Sequence, residues 1–63
     1  MTIGEVLRRE NLGKKYKWNG KTWLVVEEFY DYLNLLDLKD SGSLIDTDYF
    51  IETIANADFE EII

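Results

Sequence analysis

The chain has no cysteine, no histidine and no proline in its 63 residues. Without cysteine there are no disulfides and no thiolate metal sites. Without histidine, imidazole ligation and histidine acid–base chemistry are excluded. No proline, internal repeat, low-complexity run or linker interrupts the sequence. The four glycines are scattered and form no phosphate-binding loop. The N-terminus, MTIGEVLRRE, lacks an apolar core of signal-peptide length. The longest apolar runs are too short to cross a bilayer. A soluble protein of the cytoplasm is therefore expected.

The size makes it one domain, residues 1–63. A chain this short buries only about 60% of its unfolded surface, so its stability margin is thin. Small domains commonly add a staple. With disulfides and thiolate metals gone, association remains, and a homodimer is expected.

Charge is abundant but uneven. The net charge is −6. Residues 1–21 carry Arg8, Arg9, Lys14, Lys15, Lys17 and Lys21 against Glu5 and Glu10, net +4. Residues 22–63 carry Lys39 against eleven carboxylates, net −10. Such a balance favours solubility and, more sharply, a basic partner. Direct nucleic-acid binding through Lys14, Lys15, Lys17 and Lys21 is disfavoured by it.

Local signals divide the chain. Thr2 and Glu5 have the spacing of a capping box, and Ile3, Val6 and Leu7 follow at helical spacing. A helix is expected over residues 3–10, stopped at Leu12-Gly13 with Gly13 left-handed. The run KKYKWNGKTWLVVEE holds Asn19-Gly20 between β-rich flanks, the strongest short-range hairpin signal. A two-residue loop pairs Trp18 with Lys21, Lys17 with Thr22, Tyr16 with Trp23, Lys15 with Leu24 and Lys14 with Val25. Tyr16, Trp18, Trp23 and Val25 then share one face. The lysines of the first strand suggest an edge strand, and the second strand reads as more central.

Residues 29–38 have a helical reading through their leucines, but Phe, Tyr and alternation favour a strand. Residues 39–43 read as a turn, with Leu44 and Ile45 closing a second hairpin. Asp46, Thr47 and Asp48 offer helix caps, and a short helix is expected near 47–55. Residues 57–63 read as a final strand. The expected class is α+β: a small antiparallel sheet of three to five strands with short helices on one side.

Residues 37–48 imitate a calcium loop, with Asp37 first and Asp48 twelfth. Lys39 occupies a ligand position and Asp48 is short for a bidentate ligand, so a plain turn and helix cap is the better reading. The serines have no histidine to activate them, and so small a domain rarely encloses a substrate pocket. No catalytic residue, cofactor or metal is assigned, and a non-enzymatic role is expected.

The nine aromatics are more informative. Trp23, Phe50 and Phe59 are expected in the core. Trp18, Tyr30 and Tyr32 are candidate partner contacts, since Tyr and Trp bring area and a polar handle to interfaces. Glu27, Glu28, Asp31 and Asp37 are the candidate complementary charges.

The stretches NLGKKYKWNGKTWLV and ANADFEEII resemble small accessory proteins of phages and prophages of low-GC Gram-positive bacteria. Those often open with a short helix and a GKKY strand and close in FEE plus an aliphatic residue. The resemblance implies host takeover or inhibition of host antiviral defence, including Hachiman- or Gabija-type systems and Cas nucleases. On that basis the expectation is a binding protein that blocks a functional surface of a host defence or nucleic-acid-processing protein. The alternative is a structural or regulatory homo-oligomer.

Overall fold

The computed structural model describes residues 1–28, 32–44 and 51–63. The described elements are α1 (Ile3–Val6), β1 (Lys15–Trp18), β2 (Lys21–Glu28), β3 (Tyr32–Asp37), α2 (Ile51–Ala55) and β4 (Glu60–Ile62). The strands form one antiparallel sheet in the order β3-β2-β1-β4. The class is α+β, as the sequence predicts.

The capping box at the start of α1 forms in full. The Glu5 amide donates to the Thr2 hydroxyl, and the Thr2 amide donates to the Glu5 carboxylate. The helix stops much earlier than residue 10. Leu7 turns out of it at φ −82°, ψ 65°, and the Arg8 amide bonds to the Val6 carbonyl across it. A 3-10 turn, Arg9–Asn11, follows. The cause is Asn11, whose buried side-chain amide donates to the carbonyls of Glu5 and Val6 at 2.9 and 3.1 Å. Both carbonyls lie at the helix end and lack an intrahelical partner, the Val6 one being shared with the Arg8 amide.

The first hairpin has the predicted register from Trp18–Lys21 to Lys15–Leu24, but the predicted Lys14–Val25 pair is replaced by a bulge. Asn19 and Gly20 both take positive φ, 53° and 73°, as a two-residue primed turn requires. At the other end, Gly13 and Lys14 together face Val25. The Gly13 amide bonds to the Val25 carbonyl, and the Val25 amide bonds to the Lys14 carbonyl. Gly13 is left-handed at φ 84°, as predicted, but it makes a glycine bulge rather than a helix cap.

β1 is not an edge strand. β4 pairs along its other side, Lys15 with Ile62 and Lys17 with Glu60. Its lysines alternate with the buried Tyr16, so they mark the outward face of an inner strand. β2 is central, as predicted.

Across β2 and β3, Trp23 faces Asp37, Val25 faces Leu35 and Val26 faces Asn34. Opposed residues share a face. The inner face therefore carries Tyr16, Trp23, Val25, Leu35 and Asp37. The first four join Val6, Leu44, Ala57 and Phe59 in the buried core, with Ile3, Leu7, Trp18 and Ile54 packed against it. Trp23 and Phe59 are in the core as expected. Among the described residues the second hairpin is represented by one bridge, Leu36 to Ser43, and Leu44 goes to the core. Ile45, Phe50 and the start of the expected helix lie outside the described residues. So does the first part of the expected strand, residues 29–31.

Tyr16 is fully buried, and its hydroxyl is without a hydrogen-bond partner among the described residues. Burial, helped by the charges of Glu61 and Glu10, pushes its pKa up. A buried hydroxyl left unpaired costs about 1–3 kcal/mol. Tyr16→Phe keeps the ring and removes the orphan. It is expected to raise stability by about 1 kcal/mol, read as a higher Tm. The raised pKa means the native state resists ionising the phenol. Stability tied to it is complete below the ordinary value of 10.0 and falls as pH rises toward and through the raised one. The variant should therefore gain most above pH 10.

Candidate interaction surface

Trp18 ends β1 beside the turn. It is half-buried, on the inner face, with its ring 5.3 Å from Phe59 and 6.2 Å from Trp23. The Trp23 indole N–H donates to the Trp18 carbonyl at 3.1 Å. A shallow groove opens on each side of Trp18. One, of about 350 Å³, runs between the hairpin tip and Asp58 and Glu60. The other, of about 500 Å³, runs between Trp18 and the Glu52–Asn56 side of α2. The aromatic is thus held by two core rings while its surroundings stay open.

The other predicted contacts lie elsewhere. Tyr32 is exposed (62%) and pairs with Glu28 at the far end of β2. The pair sits on the outer face, and seven residue steps of strand separate it from the hairpin tip, roughly 24 Å. Trp18 and Tyr32 therefore do not form one patch. Glu28 accepts from the Asn34 side-chain amide at 3.2 Å. Glu27 is on the inner face and makes a 2.6 Å ion pair with Arg9. Tyr30 and Asp31 lie outside the described residues.

Asp37 is a correction to the predicted contact set. It is 2% exposed, and its carboxylate is held inside the fold. One oxygen accepts from the Lys39 amide at 2.9 Å, and the other lies 3.2 Å from the Lys21 ammonium. These bonds, the backbone one foremost, hold its pKa below the ordinary value against the opposing effect of burial. As the first position of the calcium-like loop it is therefore already occupied by Lys21 and Lys39. Among the described residues no group of three or more potential ligands converges on a metal position.

Three features escaped the sequence reading. Lys21 bridges Asp37 and Asp40 and lies 5.9 Å from the centre of the Trp23 ring. Asn34 is buried, donates to Ser43 and Glu28, and accepts from the Leu35 amide. That amide points off the sheet edge, as does the Asp37 amide, which bonds to the Gly42 carbonyl at 2.7 Å. The β3 edge is thus partly closed by the chain's own groups, which discourages strand addition there. At the opposite edge, Met1 bridges Phe59 with two 2.8 Å backbone bonds, and its ammonium pairs with Asp58 at 2.8 Å. Neither asparagine nor Met1 carries a local motif that signals these roles.

Comparison with protein-family models, with curated proteins and with solved structures gave no match. The class defined by the fold is a small α+β domain with a half-covered aromatic at one end of its sheet. No helix among the described residues is long and apolar enough to cross a membrane.

Proposed function

We propose that this chain is a non-enzymatic binding module that blocks a functional surface of a host antiviral-defence or nucleic-acid-processing protein. The observation that carries the reading is Trp18, held by Trp23 and Phe59 and flanked by two grooves. An aromatic whose position is already fixed loses little entropy on docking, which is what interface anchors need. The net charge of −6 favours a basic target surface, such as one that handles nucleic acid. The resemblance to phage and prophage accessory proteins supports the same direction, with action in the host cytoplasm.

The test is capture of partners from host lysate by wild type, Trp18→Ala and Tyr32→Ala, each first shown to be folded by circular dichroism. One specific partner is expected to be retained by wild type. Trp18→Ala should weaken it by about thirtyfold, the effect of a hot-spot residue worth ~2 kcal/mol. Tyr32→Ala should weaken it far less, because Tyr32 sits at the opposite end of the sheet. Capture should also fall with salt if charge steers the encounter. Retention of every partner by Trp18→Ala rejects the anchor.

A homo-oligomer is the second reading, favoured by the half-buried Leu24, Val26 and Leu36 on the outer face beside exposed Tyr32. Light scattering decides it, since a strict monomer at high concentration removes it.

A further inference from the structure

We propose that Asn19 is a site of spontaneous covalent modification, converting to a mixture of aspartate and isoaspartate at the hairpin tip. The step needs only water and base. The Gly20 backbone nitrogen, deprotonated, attacks the Asn19 side-chain carbonyl carbon. A bond forms between that nitrogen and Cγ, the Cγ–Nδ2 bond breaks, and ammonia leaves with the proton. Water then opens the five-membered imide. Attack at Cγ restores the normal main chain and gives aspartate. Attack at the Asn19 main-chain carbonyl leaves the chain running through the side chain and gives isoaspartate. No oxidant or reductant takes part.

The fold singles out this residue among the four asparagines. Only Asn19 precedes glycine. A side chain on the following residue hinders the attacking nitrogen, and Gly20 has neither a side chain nor any neighbour within 4 Å of where one would stand. Asn19 is exposed. The loop is closed by the Trp18–Lys21 pair, so the ladder brackets the Asn19–Gly20 amide without using it. The alternatives are each held back. Asn11 and Asn34 are buried, and neither is followed by glycine. Asn56 is exposed, but the next residue is the buried Ala57, whose side chain hinders the attacking nitrogen.

The product changes the surface next to Trp18. Each event adds one negative charge to the net −6. The isoaspartyl form also adds a main-chain carbon to a loop that pairs Trp18 with Lys21 only at its present length.

The experiment incubates the folded protein and the free peptide KWNGKTW side by side at 37 °C and mildly alkaline pH. Proteolytic fragments are then weighed, and isoaspartate is labelled with an isoaspartyl methyltransferase. The expected result is a gain of about 1 Da in the fragment holding Asn19, faster at higher pH and missing in Asn19→Gln. A turn at a loop tip opens at almost no free-energy cost, so the folded rate should lie within about tenfold of the peptide's. A folded rate slower than that overturns the proposal, because the hairpin then shields the bond. So does a gain that appears first at Asn56.

Discussion

Trp23→Ala is expected to abolish the cooperative unfolding transition or to displace it to very low urea. Trp23 is fully buried at the centre of the sheet, paired with Tyr16 on one side and Asp37 on the other. It touches Trp18, lies under the Lys21 ammonium, and ties its indole N–H to the Trp18 carbonyl. Truncating a buried tryptophan costs about 3–5 kcal/mol through lost burial and the cavity left behind. At the usual stability per residue, a domain of this length has only about 3–9 kcal/mol in total. The substitution therefore removes between about a third of the margin and all of it. Urea denaturation followed by far-UV circular dichroism checks this. Wild type should give a sigmoidal curve, and Trp23→Ala a gradual one or one displaced to very low urea. Trp18→Ala should keep a clear transition, since Trp18 only packs against the core from its rim. A Trp23→Ala variant as stable as Trp18→Ala would mean that this core placement is wrong.

The two tryptophans also show how far the sequence can be read. Their different burial is legible because the Asn19-Gly20 turn is a local signal that fixes the register of everything beside it. The capping box is local in the same way. What could not be read depended on contacts between distant segments. Nothing in KKYKW says that β4 will lie against it, so the lysines of β1 looked like edge protection. Asn11 shortens α1 through a side chain from beyond the expected helix. The faces of β3 follow from its pairing with β2, and alternation alone assigns two sets of residues without saying which is buried. Leu35 and Asp37 turned inward, leaving Tyr32 and Leu36 outward. The predicted contact set therefore divided, with Trp18 at one end of the sheet and Tyr32 with Glu28 at the other.

Asp37 is where the default reading of charge failed, and it carries the second large effect. A carboxylate near a turn is ordinarily solvated, but this one faces Trp23 across the ladder and is covered. It survives there because the Lys39 amide and the Lys21 ammonium both meet it. Asp37→Asn retains an oxygen for the Lys39 amide but loses the charge opposite Lys21. It is expected to lower the Tm at neutral pH by several degrees, since the covered group loses the charge that the Lys39 amide and the Lys21 ammonium both favour, and Lys21 keeps only the exposed Asp40 at 3.9 Å. The pH dependence separates this cause from simple loss of packing. The folded-state pKa of Asp37 lies below its ordinary value of 3.8. The stabilisation from its charge is thus complete above about pH 4 and is lost as pH falls through the lower folded value. Wild type and Asp37→Asn should differ most at neutral pH and converge in strong acid, where Asp37 is itself protonated. Asp40→Asn is the control. Asp40 is 64% exposed in its side chain and 3.9 Å from the same ammonium, so its loss should barely move the Tm. A deficit in Asp37→Asn that stays constant down to strong acid would show that the carboxylate contributes shape rather than charge.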